Sequence, residues 1–252
     1  MRRSCVALAL ATLSAPWSAP LHAEEIVVSA AASLTDAVRE IAKAYESKTR
    51  HKVTLNFGSS AALARQVEEG APADIFFSAD LKTMGDLEKK GRLEPGSRRN
   101  LLSNRLVLVI PADSALEINA PKDLLRAEVK RIALAEPASV PVGVYSKSYL
   151  EREGLWEKLK EKIVPVLDVR ATLASVESAN VEAGFVYKTD AAISGKVKVA
   201  YEVPIEKGPK ITYPIAVVKD SRKKAAARDF VNFVMTPASK DTFKKYGFVV
   251  LG

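Results

Sequence analysis

The sequence contains very few of the side chains that support nucleophilic or metal-dependent chemistry. Its 252 residues include one cysteine, Cys5, and two histidines, His22 and His51. This composition disfavours a thiolate or multi-histidine zinc site. The nucleotide-binding and hydrolase motifs G-x-G-x-x-G, G-x-x-x-x-G-K-[ST] and G-x-S-x-G are absent as well. The sequence therefore favours binding over catalysis.

Long apolar runs are also absent, and the short one at the N-terminus is typical of a signal peptide. Residues 1–23 combine two arginines, the apolar run 5–13 and a small residue, Ala23, at the expected cleavage site. The run is too short to span a bilayer. Because Cys5 lies before any plausible cleavage site, it does not indicate a lipidated N-terminus. We expect export to the periplasm with cleavage near Ala23.

Removal of this segment would leave a mature chain without cysteine and with His51 as its one histidine. Such an exported chain is stabilised by its core and not by disulfides. A Ser-His-Asp triad would have to use His51. That residue lies in the basic polar turn 48–52, between a predicted helix and a predicted strand, as expected of a surface histidine.

Positive charge is moderate and dispersed. The formal charge of +8 falls by two when the arginines of the signal peptide are removed. The remaining basic clusters lie on predicted helix ends and faces, without the interleaved aromatic residues of a single-strand nucleic-acid groove. We expect no nucleic-acid partner.

Short apolar runs alternate with amphipathic segments along the whole chain, which predicts an α/β fold with mostly parallel sheets flanked by helices. The chain is also long enough for two lobes. Predicted strands cover residues 26–31, 53–57, 74–78, 105–110, 131–135, 163–167, 184–187, 197–200 and 211–218, the last interrupted by Pro214. Predicted helices cover residues 33–48, 60–69, 80–90, 121–127, 143–153, 170–180, 222–235 and 238–246.

Four segments run from a predicted strand straight into the start of a helix. They are residues 28–34, 56–61, 140–143 and 168–171. The first N–H groups of a helix have no partner within it, and they lie at the positive end of its dipole. If the four helix starts converged, they would surround an oxyanion with neutral donors.

Each residue also has a simpler interpretation when taken alone. Ser33, with Asp36 three residues later, has the pattern of a helix N-cap, and Ser59 or Ser60 could cap the next helix. We expect Arg170 to form a structural pair with Asp168 or Glu177. Asp74, Asp80 and Asp190 have the contexts of strand ends and caps, without the spacing of a calcium loop.

Six blocks of the sequence closely resemble the periplasmic molybdate-binding proteins of ABC importers, the ModA family. The blocks extend over the whole mature chain: residues 30–37, 57–66, 70–80, 140–145, 168–170 and 244–248. The resemblance implies a two-lobe type II periplasmic binding protein fold. Residues 24–103 plus 214–252 would form lobe one, and residues 104–213 lobe two, with residues 1–23 as the signal peptide.

The same resemblance implies the ligand-binding residues. Ser33 and Ser60 would donate their hydroxyls, Val142 and Val169 their backbone N–H groups, and Tyr187 its phenolic hydroxyl. The anion, molybdate or tungstate, would be held through its oxygens without any direct ligand to the metal. No cofactor is implied. The expected partner is the transmembrane permease of an ABC importer, and the expected state is a monomer that is not an enzyme.

Three alternatives remain open at this point. The protein could be a receptor for sulfate or another tetrahedral oxyanion. It could be a secreted hydrolase that uses Ser33 or Ser60 with His51. It could also be the effector-sensing domain of a regulator, although the signal peptide and the missing DNA-binding helix pair disfavour this.

Overall fold

The computed structural model describes residues 23–251, which form two β-sheets covered by helices. The strands of the first sheet are β1 Glu25–Ala31, β2 Lys52–Gly58, β3 Ile75–Phe77, β4 Arg99–Ser103, β10 Tyr213–Val217 and β11 Val249–Val250. The strands of the second sheet are β5 Leu106–Pro111, β6 Ile132–Ala135, β7 Ile163–Val166, β8 Ala183–Tyr187 and β9 Val197–Glu202. The predicted signal peptide lies outside the described residues, apart from Ala23.

The α-helices fill most of the connections between strands. They are α1 Thr35–Lys48, α2 Ser60–Glu68, α3 Leu81–Lys89, α4 Pro141–Arg152, α5 Trp156–Leu159, α6 Val169–Glu177, α7 Lys188–Ala192, α8 Lys224–Val234 and α9 Pro237–Lys245. Short 3-10 segments occupy Ala32–Leu34, Pro121–Leu125 and Lys160–Lys162. No helix within residues 23–251 is long and apolar enough to cross a membrane.

Both sheets are mixed, which corrects the expectation of mostly parallel sheets. The first has the order β11-β4-β10-β3-β1-β2 and the second β7-β6-β8-β5-β9. Pairings among β1, β2 and β3, and among β6, β7 and β8, are parallel, as their helical crossovers require. The pairings made by β10, β11 and β5 are antiparallel, because these strands follow connections between the sheets or the C-terminal helices.

The chain passes between the two sheets twice. It leaves the first sheet after Ser103 and enters the second at Leu106. It returns after Glu202, and Tyr213 already pairs with Leu102 in the first sheet, at an irregularity beside Pro214. The first sheet is thus built from two separate parts of the chain.

The core follows the predicted amphipathic faces. On α1 the buried residues are Ala37, Val38, Ile41, Ala42 and Tyr45, which share one face of the helix. On β3, Phe77 packs edge-on against Phe243 of α9, whereas Phe76 lies on the opposite face of the sheet, against α2 and α3. Because successive side chains of a strand point to opposite faces, the short strand β3 packs against helices on both faces of the first sheet.

Candidate anion-binding site

All five residues predicted to bind the anion line one small cavity between the two sheets. The cavity has a volume of about 20 Å³, far below the usual range for pockets that hold drug-sized ligands. Its remaining walls are Ala31, Ala32, Gly58, Ser59, Ala79, Val140, Pro141 and Asp168. The site lies beyond the carboxyl ends of β1, β2, β6, β7 and β8, where ligands bind in α/β proteins.

Ser60 is held as a hydrogen-bond donor toward the cavity. Its Oγ accepts from the backbone N–H of Ala79 at 2.9 Å, and the residue is buried. The hydroxyl hydrogen of Ser60 is therefore left for another acceptor. The cap of α2 is Ser59, whose Oγ accepts from Ala62 N–H at 3.3 Å.

Ser33 has a different environment from the one predicted. It lies in the 3-10 turn before α1 and makes no side-chain cap, so the interpretation of Ser33 as a helix N-cap is wrong. Its Oγ lies 3.2 Å from the hydroxyl of Tyr213, and both residues are buried. The tight turn places Ser33 at the cavity instead of at the first N–H groups of α1.

Tyr187 ends β8 with its hydroxyl at the cavity. The residue is 1 % exposed, and its hydroxyl has no hydrogen-bond partner among residues 23–251. Burial raises the pKa of Tyr187 well above that of a free tyrosine, so the hydroxyl stays protonated at neutral pH. Because buried hydroxyls are normally paired, this one points to a ligand.

Backbone N–H groups complete the donor set. Asp168 caps α6 through Oδ1, which accepts from Arg170 and Ala171 N–H at 2.9 and 3.0 Å and leaves Val169 N–H without an acceptor among the described residues. In α4, Pro141 has no N–H, and Val142 N–H likewise lacks an acceptor there. Both helix starts thus present a free donor to the cavity.

Gly143 allows α4 to begin where it does. A Cβ at this position would lie 1.9 Å from the carbonyl oxygen of Ala135 at the end of β6. Only glycine permits so close an approach of helix and strand. The last residue of the V-P-V-G segment must therefore be glycine, although the sequence alone does not reveal the contact with Ala135.

Arg170 is a structural residue, as predicted, but its partners are others. It binds Asp36 of α1 at 2.8 Å and Asp190 of α7 at 2.7 Å, and neither Asp168 nor Glu177. Asp190 lies within α7 and is fully buried, so it is not a cap. Burial raises its pKa to about 6, against the opposing effect of Arg170. The contact with Asp36 joins helices that belong to different sheets.

The other acidic residues have structural roles. Asp80 caps α3 by accepting from Thr83 N–H, and Asp74 accepts from Val27 N–H and the Ser221 hydroxyl. Within residues 23–251, no group of three or more histidine, cysteine or acidic side chains could hold a metal ion.

His51 lies at the wrong end of the sheet for the hydrolase alternative. It precedes β2 and accepts through Nδ1 from Glu24 N–H, whereas Ser60 follows β2. A seven-residue strand of about 3.3 Å per residue separates them. Among residues 23–251, His51 therefore pairs with neither Ser33 nor Ser60.

A wider cleft adjoins the small cavity and shares Pro141 with it. Its volume is about 570 Å³, and its walls carry the ion pairs Lys82–Asp86 and Lys90–Glu68. The charges of these paired side chains are largely balanced, and the space greatly exceeds a tetrahedral anion. The small cavity is therefore the candidate binding site.

Comparison with known proteins agrees with this architecture. Residues 26–249 match the family model described as bacterial extracellular solute-binding protein. The molybdate-binding protein ModA of Haemophilus influenzae is 38 % identical over 89 % of this chain and 89 % of its own. ModA of Escherichia coli is 38 % identical over 90 % of this chain and 89 % of its own.

A solved structure extends the agreement to three dimensions. The periplasmic molybdate-binding protein of Azotobacter vinelandii superposes with a TM-score of 0.81, at 27 % identity, over 90 % of this chain and 100 % of its own. The two helix-covered sheets are those of the two-lobe type II periplasmic binding fold. The chain belongs to the family of bacterial extracellular solute-binding proteins, within the group that contains ModA.

Proposed function

We propose that the protein binds molybdate, and also tungstate, through Ser33, Ser60, Val142, Val169 and Tyr187. The observation that carries this proposal is the Tyr187 hydroxyl, which is buried without a protein partner at a cavity that also presents two serine hydroxyls and two helix N–H groups. Five convergent neutral donors suit a small anion with several oxygens.

Donor chemistry supports selectivity against protonated anions. Molybdate is fully deprotonated at neutral pH, whereas hydrogen phosphate carries a proton that needs an acceptor. Asp168 also lines the cavity, but Oδ1 is occupied by two backbone N–H groups. Leaving the phosphate proton unpaired would cost roughly 1–3 kcal/mol. Sulfate carries no proton either, so cavity size must distinguish it from molybdate.

The division of the site between two lobes supports a capture mechanism. We propose lobe one as residues 24–103 plus 214–252 and lobe two as residues 104–213. Ser33 and Ser60 then belong to lobe one, and Val142, Val169 and Tyr187 to lobe two. An anion bound to both lobes favours the closed state because it contacts both only there.

Family membership supports the cellular role. We propose an exported monomer in the periplasm, with residues 1–23 removed, that delivers its anion to the permease of an ABC importer and has no enzymatic activity. Molybdate is then cargo and not a cofactor.

Calorimetric titration of residues 24–252 with molybdate tests the proposal, with sulfate and phosphate as competitors. We expect one-to-one binding that excess sulfate and phosphate do not displace. Preferential binding of sulfate would keep the anion site but change the substrate. Absence of binding by every oxyanion would refute the site itself.

A further inference from the structure

A chain of buried hydrogen bonds leads from the connection between the sheets to Ser33. The side-chain amide of Asn104 donates from Nδ2 to the Tyr213 hydroxyl at 3.2 Å and to Thr189 Oγ1 at 2.9 Å. The Tyr213 hydroxyl lies 3.2 Å from Ser33 Oγ. Asn104 follows β4 at the first passage between the sheets, and Tyr213 opens β10 at the second.

The orientation of the Asn104 amide is fixed by a donor that cannot reverse. The backbone N–H of Arg105 donates to Asn104 Oδ1 at 2.9 Å. Because a peptide N–H is only a donor, the atom facing it must be the amide oxygen. The NH₂ group must therefore face Tyr213 and Thr189.

This orientation determines the direction of the next two bonds. An amide nitrogen does not accept, so the Tyr213 oxygen accepts from Asn104 and its own hydrogen is available to Ser33. Tyr213 is fully buried, and burial raises its pKa well above the usual value, so that hydrogen stays in place. Ser33 Oγ then accepts from Tyr213, and the Ser33 hydrogen is directed elsewhere, toward the cavity.

We propose that Asn104 and Tyr213 are positioning residues that hold Ser33 as a hydrogen-bond donor and thereby select oxyanions without a proton. The inference rests on the proposed anion-binding function and adds the cause of its selectivity. Ser60 is also held as a donor, but by a single backbone group, the Ala79 N–H, which donates to its Oγ. Ser33, in contrast, depends on the side chains of Asn104 and Tyr213, and a substitution can reverse the direction of the hydrogen bonds between them.

We call the hydrogen-bonded chain Asn104–Tyr213–Ser33 the relay. The substitution Asn104→Asp should reverse the direction of its hydrogen bonds. A carboxylate at residue 104 would still accept from Arg105 N–H with one oxygen and would accept from Tyr213 with the other. Tyr213 would then accept the Ser33 hydrogen, and a lone pair of Ser33 would face the anion. Hydrogen phosphate could donate its proton to that lone pair, whereas sulfate and molybdate could not use it.

The test is calorimetry at pH 8 with molybdate, sulfate and hydrogen phosphate on the wild type and on Asn104→Asp. Sulfate and hydrogen phosphate are both dianions of similar size, so the added charge of the aspartate lowers both affinities alike. We expect molybdate affinity to fall at least tenfold and the ratio of phosphate to sulfate affinity to rise at least tenfold. An unchanged ratio in the folded variant would overturn the relay.

Two further variants separate positioning from general damage. Tyr213→Phe removes the donor to Ser33 and should weaken molybdate binding severalfold, less than Ser33→Ala does. Thr189→Val removes the second acceptor of the Asn104 amide, which is not on the path to Ser33. This variant should leave the ratio of phosphate to sulfate affinity unchanged. Equal effects of Tyr213→Phe and Thr189→Val on molybdate would contradict the inference. Failure of the wild type to bind any oxyanion would instead refute the proposed function.

Discussion

At the residue scale, the Tyr187 hydroxyl should favour anion binding and lower the stability of the ligand-free protein. It is buried, protonated and without a protein partner among residues 23–251. An unpaired buried hydroxyl destabilises the ligand-free closed state, and a bound anion would satisfy it. A residue kept for its ligand would carry this cost, as residues at functional sites commonly do.

Tyr187→Phe should therefore weaken molybdate binding while raising the stability of the free protein. We expect about tenfold lower affinity, from the loss of one hydrogen bond to a charged group, and about 1 kcal/mol higher free energy of unfolding. Calorimetry and urea unfolding without ligand measure the two effects. A variant that loses stability as well as affinity would show that the hydroxyl has a structural partner.

Ser33→Ala and Ser60→Ala should each weaken molybdate binding by about tenfold to a hundredfold, or about 1.5–3 kcal/mol. Ser59→Ala is the matched control, because Ser59 lines the same cavity but caps α2. Its loss should lower stability by about 1 kcal/mol with little effect on affinity. If Ser59→Ala weakened binding as much as Ser60→Ala, the assignment of the second serine would be wrong.

At the scale of elements, the starts of α4 and α6 are held by contacts outside the cavity. Gly143 sets the distance between α4 and β6, and Arg170 ties α6 to α1 and α7. The backbone donors Val142 and Val169 have no side-chain chemistry of their own. Their positions depend on these contacts.

Gly143→Ala should displace α4, because its Cβ would overlap the Ala135 carbonyl. We expect a stability loss of roughly 3 kcal/mol, at the upper end for overpacking, and at least tenfold weaker molybdate binding. Gly85→Ala in α3 is the control, since nothing lies within 4 Å of its added Cβ, and it should stabilise the helix by up to about 1 kcal/mol. Thermal unfolding and calorimetry compare the two variants.

Asp36→Asn should weaken the contact between α1 and α6 while leaving Arg170 bound to Asp190. The two side chains are 35 % and 26 % exposed, so we expect the modest contribution of a partly solvated pair. Molybdate affinity should fall about twofold to fivefold at low salt, with its selectivity over sulfate unchanged. The exposed pair Lys82–Asp86 provides the control Asp86→Asn. Equal affinities for both variants would contradict a role in closure.

The elements were largely predictable, whereas their tertiary contacts were not. Apolar periodicity located nearly every long helix and strand, but not β4, with its mixed sequence Arg99–Ser103, or the two-residue β11. The partners of Arg170 lie on α1 and α7, which are distant from it in sequence. Local spacing therefore led to the wrong prediction of Asp168 or Glu177. Nothing in the local sequence of Asn104 or Tyr213 indicates their link to Ser33, since the fold alone joins residues so far apart.

At the scale of the whole molecule, buried tyrosines link stability to alkaline pH. Burial raises the pKa of Tyr187 and Tyr213 well above the unfolded value near 10. Protonation therefore contributes stability that is complete below pH 10 and is lost as the pH rises above it. Urea unfolding between pH 8 and 11 should show a decline that is shallower in the double variant Tyr187→Phe, Tyr213→Phe. Parallel declines would mean that other groups cause it.

The position of β10 also has consequences for a nascent chain. This strand lies between β3 and β4, yet it is made after every strand of the second sheet. The second sheet comes from one continuous segment and can assemble early, whereas β3 and β4 keep exposed edges until residues 213–217 arrive. Such edges invite pairing with other chains. Chaperone protection should matter most in that interval, and a polypeptide truncated before β10 should aggregate and capture no anion.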